Sequence, residues 1–246
     1  MSGGMGASFD PERIERLRRQ LDNPGATSRG PSPVRPAGDP ARPGNPVKLL
    51  WQRAIVIILG FTGLLYGVEA VDQVTGDRLD YEGGVEPREI DGLDGILFAP
   101  VLHANWEHLI GNTLPVLVLG LLTLLTGIGR GLAATAIIWV IAGTGVWLTG
   151  ATGSVHVGAS VLVFGWLTYL LCWGWLARNW VFVAVSVGVG LLYGSILWGV
   201  LPGQPGISWQ GHLFGAVGGL VAGWVLSAHE RRHRRGANAG RPVTSG

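Results

Sequence analysis

Six apolar runs constrain this chain more than any other feature of its sequence. They cover about residues 51–71, 109–126, 131–149, 160–176, 180–199 and 212–228. Each approaches the ~20 residues that a helix needs to cross the hydrocarbon core of a bilayer. Within that core a segment must satisfy its own backbone N–H and C=O groups, which favours helices. The expected fold class is an all-α membrane protein built as a six-transmembrane-helix bundle. Composition agrees with this. Of 246 residues, 48% are hydrophobic and only 14% charged, with 41 glycines and eleven tryptophans. Glycine lets membrane helices approach closely, and tryptophan suits interfacial belts. The lone cysteine, Cys172, has no partner for an intrachain disulfide and is expected to pack.

The ends of the chain differ from its middle. Residues 1–47 are rich in Gly, Pro, Ser and Arg and hold too little apolar surface to fold alone. One short helix is expected there, from Asp10-Pro11-Glu12 to about Leu21, with Asp10 as its cap. The start lacks a basic stretch followed by an apolar run, so no signal peptide is expected. The expected organisation is a disordered tail over 1–47, a membrane domain over 48–228 and a basic tail over 229–246. Lys and Arg fill the N-terminal tail, recur as Arg130 and Arg178 in two short connections, and return as Arg231, Arg232, Arg234 and Arg235. The long 72–108 connection holds only Arg78 and Arg88 among many acids, and 150–159 and 200–211 hold no Lys or Arg. Every second connection is therefore basic. By the positive-inside rule both termini are expected in the cytoplasm, with the chain multi-pass in the plasma membrane. The basic tail suits anionic lipid headgroups better than nucleic acid.

Polar groups gather at one end of three runs. His108 and Asn112 open the second run, in HANWEHLIGN. Ser160 opens the fourth, in VHVGASVLVFG. His212 opens the sixth, in SWQGHLFGAVGG. The expected topology places all of them near the outer face. Ionisable groups at membrane depth are costly and point to function. His108 and Asn112 are four apart and share a helix face. Together these residues supply a hydroxyl, a base and two donors, the inventory for acyl transfer with a held oxyanion. Each has a plainer reading when taken singly. A serine beside Gly158 and Ala159 is ordinarily a packing residue, and Gly215 with Gly219 is ordinarily a helix-packing face. His156 lies in an outer loop near Ser160, where tuning of the cavity is one reading and a solvated loop residue the plainer one, and His229 and His233 belong to the basic tail. A metalloprotease HExxH pattern is absent, and no apolar run contains Asp. A transporter would carry polar groups along a path through the membrane, whereas these cluster at one face.

At these residues the chain resembles the rhomboid family of intramembrane serine proteases. The family's His, four residues, His, three residues, Asn is matched by His103, His108 and Asn112. Its G-x-S is matched by Gly158-Ala159-Ser160, and its histidine before a Gly-rich helix by His212 with Gly215 and Gly219. The resemblance covers about 51–228. It implies Ser160 as nucleophile and His212 as general base, a dyad without Asp. It implies His108 and Asn112 as oxyanion donors with the Ser160 backbone N–H, and His103 as a shaper of the polar cavity. Phe164, four residues after the nucleophile, would pack on the base ring. No cofactor or metal is implied. The implied partners are the lipid bilayer and single-span or other membrane-protein substrates, cut near the outer face. Val161 stands where the family usually has Gly. The alternative is a catalytically inactive rhomboid-like protein that binds membrane helices.

Overall fold

The computed structural model describes residues 11–22, 45–192, 200–203 and 206–228. The chain divides into two units, Met1–Gly44 and Asn45–Gly246. The first holds α1 (Pro11–Leu21), with Glu12 in its first turn and Arg18 and Arg19 in its last, each matching the helix dipole. Ile14 is exposed on it. The cap expected from Asp10 lies outside the described residues.

The second unit is helical. Its elements are α2 (Pro46–Thr75), α3 (Arg78–Gly83), α4 (Gly95–Phe98), a 3-10 turn (Ala99–Val101), α5 (Trp106–Leu125), α6 (Ile128–Thr149), α7 (Ser160–Ala177), α8 (Trp180–Leu192) and α9 (Trp209–Leu226). The described residues contain no strand, only an isolated antiparallel bridge between Val85 and His156. Among the described residues, four helices, α2, α5, α6 and α7, are long and apolar enough to cross a membrane. α8 is described over 13 residues, and 193–199 of its apolar run lie outside the described residues. α9 starts three residues before its apolar run, so Gln210 and His212 fall in its first turn and make that end polar.

Short polar residues set where the helices begin. Asn45 caps α2 by accepting the Val47 N–H at 3.0 Å, and Pro46 supplies the fixed φ of a first helical residue. Asn105 caps α5 by accepting the His108 N–H at 2.9 Å. Ser208 caps α9 by accepting the Gly211 N–H at 3.2 Å. The residue before α7 is Ala159, which has no side chain to do this. The first N–H groups of α7 therefore lack a side-chain cap, unlike those of α5 and α9.

α7 is the central helix. Leu162, Val163, Phe164, Trp166, Tyr169, Leu170 and Trp173 are all buried along it. It packs against α5, α6, α8 and α9. α7 and α9 approach through glycine. A methyl at Gly215 would meet the Val161 carbonyl, and one at Gly219 would meet the Gly165 carbonyl. Thr168 donates from Oγ1 to the Ala216 carbonyl across the same seam at 2.8 Å. Trp166 and Trp173 depart from the interfacial expectation, since they lie in the core, whereas Trp51, Trp106, Trp175 and Trp180 are exposed near helix ends. Trp139 and Trp147 of α6 donate their indole N–H to the Ile96 and Glu89 carbonyls at 2.9 and 2.8 Å. Those bonds strap the acidic first connection to α6, and Arg88 adds donations to the Leu148 carbonyl and Thr152 Oγ1.

Candidate active site

The N-terminal ends of α5, α7 and α9 converge on one cleft of about 850 Å³. α5 contributes Glu107, His108, Gly111 and Asn112 to its lining; α7 contributes Ser160, Val163 and Phe164; α9 contributes His212. Ser160 is the first residue of α7, and His212 is the fourth of α9. Their side chains meet: Nε2 of His212 lies 2.9 Å from Oγ of Ser160. Phe164 follows Ser160 by about one turn and so lies on the same face. Its ring stacks on that of His212, with centroids 4.2 Å apart and planes 15° apart. That stacking restricts the tilt of an imidazole which burial has already taken largely out of water.

Gly158 makes the approach to Ser160 possible. Its φ of +124° is one that residues with a Cβ rarely adopt. A Cβ there would lie 2.7 Å from Cε1 and 3.0 Å from Nε2 of His108. The His108 ring is thus seated directly over the peptide that precedes the helix. The Gly158 N–H donates to the Ala99 carbonyl at 2.9 Å, tying this turn to the 3-10 segment. Asn112, also buried, donates one N–H from Nδ2 to the His108 carbonyl at 3.1 Å, which fixes its amide and leaves the second N–H to the cleft.

His103 takes a different place. It is 1% exposed and lies behind the cleft wall, not in its lining. Nε2 accepts the Ala159 N–H at 3.3 Å, and its ring meets His108 edge-on at 5.2 Å. Burial holds its pKa down to about 3, His108 adds to this, and the Val101 carbonyl opposes it. A neutral ring is what accepting the Ala159 N–H requires. Gly215 and Gly219 lie along the α7–α9 seam below the Ser160–His212 contact, where they set how closely the two helices approach.

Sequence reading missed Ser208 and preferred the plainer of two readings for His156. His156 is half-buried, not a solvated loop residue, and it lines the cleft with Ser154 and Ser208. The signal for Ser208 was present, since a serine before a Gly-rich helix is a cap. Among the described residues no group of three or more His, Cys, Asp or Glu is arranged to hold a metal ion.

A rhomboid-domain family model matches residues 92–229, which includes every residue just described. The chain belongs to the rhomboid family. An uncharacterized protein of Mycobacterium tuberculosis (strain H37Rv) is 47% identical to this rhomboid over 223 residues, covering 85% of this chain and 92% of its own. An uncharacterized protein of Mycobacterium leprae is 46% identical over 202 residues, covering 78% and 79%. With its apolar helices, this rhomboid is a multi-pass membrane protein.

Proposed function

We propose that this rhomboid is an intramembrane serine endopeptidase that cleaves membrane-protein substrates near the outer face of the plasma membrane. Ser160 is the nucleophile and His212 its general base. The observation that carries this reading is the 2.9 Å contact between His212 Nε2 and Ser160 Oγ, with the base ring stacked on Phe164 at the floor of a polar-lined cleft. His212 takes the Ser160 proton on Nε2 as Oγ attacks the scissile carbonyl. The negative charge that develops on the carbonyl oxygen faces His108, Asn112 and the uncapped N–H groups at the start of α7. Those N–H groups also carry the positive end of the helix dipole. His212 returns the proton to the leaving amine. Water then hydrolyses the acyl-enzyme, with His212 accepting the proton of the water. The cleft brings polar groups and water to a depth where the lipid phase supplies neither.

The proposed organisation keeps both tails, 1–47 and 229–246, in the cytoplasm, with membrane-protein substrates and the bilayer as partners. The inactive alternative is motivated by Val161 alone. The structure seats that side chain against Gly211, where Cγ1 lies 3.0 Å from the position of an added Cβ. Glycine at 211 thus makes room for the branched residue, and the dyad contact is kept.

The test is cleavage of a tagged single-span reporter by wild type, Ser160→Ala and His212→Ala, with fluorophosphonate labelling of Ser160. Cleavage and labelling by wild type, with neither variant cutting, is the expected result. A folded wild type that neither labels nor cuts across several reporters favours the inactive reading. Cleavage that survives Ser160→Ala overturns the choice of nucleophile.

A further inference from the structure

His156 sits four residues before Ser160 and joins three elements. Its backbone exchanges both hydrogen bonds with Val85 of the first connection, at 3.0 and 3.1 Å. Its Nε2 lies 2.9 Å from Ser154 Oγ, and its Nδ1 lies 2.8 Å from Ser208 Oγ. Ser208 is the cap of α9, the helix that carries His212.

The direction of each bond follows from counting protons. Ser154 has one hydroxyl proton and gives it to the Ala151 carbonyl at 2.6 Å. Ser154 Oγ therefore accepts from His156, which places the ring proton on Nε2. A neutral imidazole then has a lone pair on Nδ1, and Ser208 donates its hydroxyl proton there. Ser208 Oγ keeps a lone pair for the Gly211 N–H, which it accepts at 3.2 Å. Burial lowers the pKa of His156, in keeping with the neutral ring this chain of bonds needs. The Ser208 carbonyl accepts the His212 N–H itself at 3.1 Å. One serine thus holds the base's own backbone, and one histidine orients that serine.

We infer that His156 is a positioning residue for the catalytic pair, a clamp that fixes the first turn of α9 and so holds His212 Nε2 on Ser160. The inference rests on the serine-protease reading above. It gives His156 a role separate from packing, because both of its ring nitrogens are spent on hydrogen bonds. It also predicts a graded defect. The clamp aligns the base without touching the reacting atoms, so its loss lowers turnover without abolishing it.

The test uses the full chain in detergent, with His156→Ala, His156→Asn and Ser208→Ala. Backbone pairing to Val85 does not depend on the side chain at 156, so the loop is retained in these variants. Three readouts are combined: reporter kcat and KM, the rate of fluorophosphonate labelling at Ser160, and amide hydrogen exchange over residues 206–215. His156→Ala is expected to lower kcat and labelling by about 10-fold, on the scale of one hydrogen bond, with KM within about 2-fold. Exchange at the start of α9 is expected to rise. His156→Asn places an acceptor near the Nδ1 position and is expected to recover most of the labelling rate. Adding His156→Ala to Ser208→Ala is expected to cost little more than Ser208→Ala alone, because both break one connection. A lower melting temperature with unchanged kcat and labelling in the folded fraction overturns the inference, as does additivity of the two serine and histidine substitutions. A wild type that neither labels nor cuts overturns the protease reading and the catalytic role with it. The clamp is then decided by exchange alone: faster exchange in His156→Ala supports it, and unchanged exchange overturns it.

Discussion

Replacing Gly158 by alanine separates what the backbone needs from what the site needs. Two costs act at this position. The φ of +124° lies outside the regions open to a residue with a Cβ, and holding one there costs on the order of 1–3 kcal/mol. The new Cβ would also lie 2.7 Å from Cε1 and 3.0 Å from Nε2 of His108, so the ring or the turn has to yield. His108 is a proposed oxyanion donor, and loss of one such donor typically costs about 100- to 1000-fold in turnover. Partial displacement sets the expected range for Gly158→Ala at about 10-fold to that full loss. Gly153→Ala is the control. It has φ of +77° but nothing within 4 Å of the added methyl, and it lies outside the cleft lining. It carries backbone strain without crowding. Reporter cleavage and thermal unfolding of both variants in detergent make the comparison. Both are expected to unfold earlier than wild type, while Gly153→Ala keeps cleavage within about 2-fold and Gly158→Ala loses it. Full cleavage by Gly158→Ala would refute the reasoning, because His108 would then tolerate displacement. Equal loss of cleavage in both variants would refute it too, because strain alone would be the cause.

Val161→Gly tests whether the branched residue disables the dyad. The void left against Gly211 and the lower helix propensity of glycine are expected to cost about 1 kcal/mol or more of stability, with cleavage changed by less than about 5-fold; a gain of several orders of magnitude in turnover would instead mark Val161 as an inactivating substitution. Asp80 tests the acidic first connection. Burial, then Asp72, Glu69 and Asp77, push its pKa from the ordinary carboxyl range up to about 7, while the His103 backbone N–H opposes this. A carboxyl raised in the folded state favours folding while it is protonated, so its contribution is full below pH ~4, falls between there and 7, and is lost above. Asp80→Asn is expected to narrow the gap in melting temperature between pH 5 and pH 8, and an unchanged gap would show that the acid is ionised in the fold at no cost.

Much of this architecture was legible because the membrane imposes a length on every helix and penalises polar groups inside it. That is why the starts of α5 and α7 fall within three residues of their apolar runs, and why His108, Asn112, Ser160 and His212 stood out. α9 starts three residues before its run as well, the same offset as α5. Its start depends on Ser208, a cap that hydropathy does not register. Some of the tryptophans misled for a related reason. An indole suits an interface because it is apolar with one donor, but Trp139 and Trp147 spend that donor on loop carbonyls and Trp166 reaches Thr135 Oγ1 at 2.9 Å. His156 was visible as a loop histidine near Ser160, but its hydrogen bonds were not, since its partners are 2 and 52 residues away and only the folded turn brings both to one ring.

The helix register ties the glycines to the chemistry. Gly215 faces the Val161 carbonyl and Gly219 faces that of Gly165, so each contact lies four residues beyond the last on both helices. α7 and α9 therefore run side by side in the same direction, in step turn by turn. Glycine is a poor helix residue, by up to about 1 kcal/mol relative to alanine, and α9 contains five of them. Their return is position. Sliding α9 by one turn would move His212 by about 5.4 Å along the axis and break a contact that is 2.9 Å long. Larger residues would also push the helices apart, and a wider seam would carry the His212 ring away from the Ser160 hydroxyl. Two turns below that contact, Thr168 donates its hydroxyl across the same seam to the Ala216 carbonyl at 2.8 Å. Glycine spacing thus sets depth, Thr168 adds a bond across the seam, and Ser208 fixes the rotation of the first turn, so that Ser160 and His212, drawn from distant parts of the chain, meet.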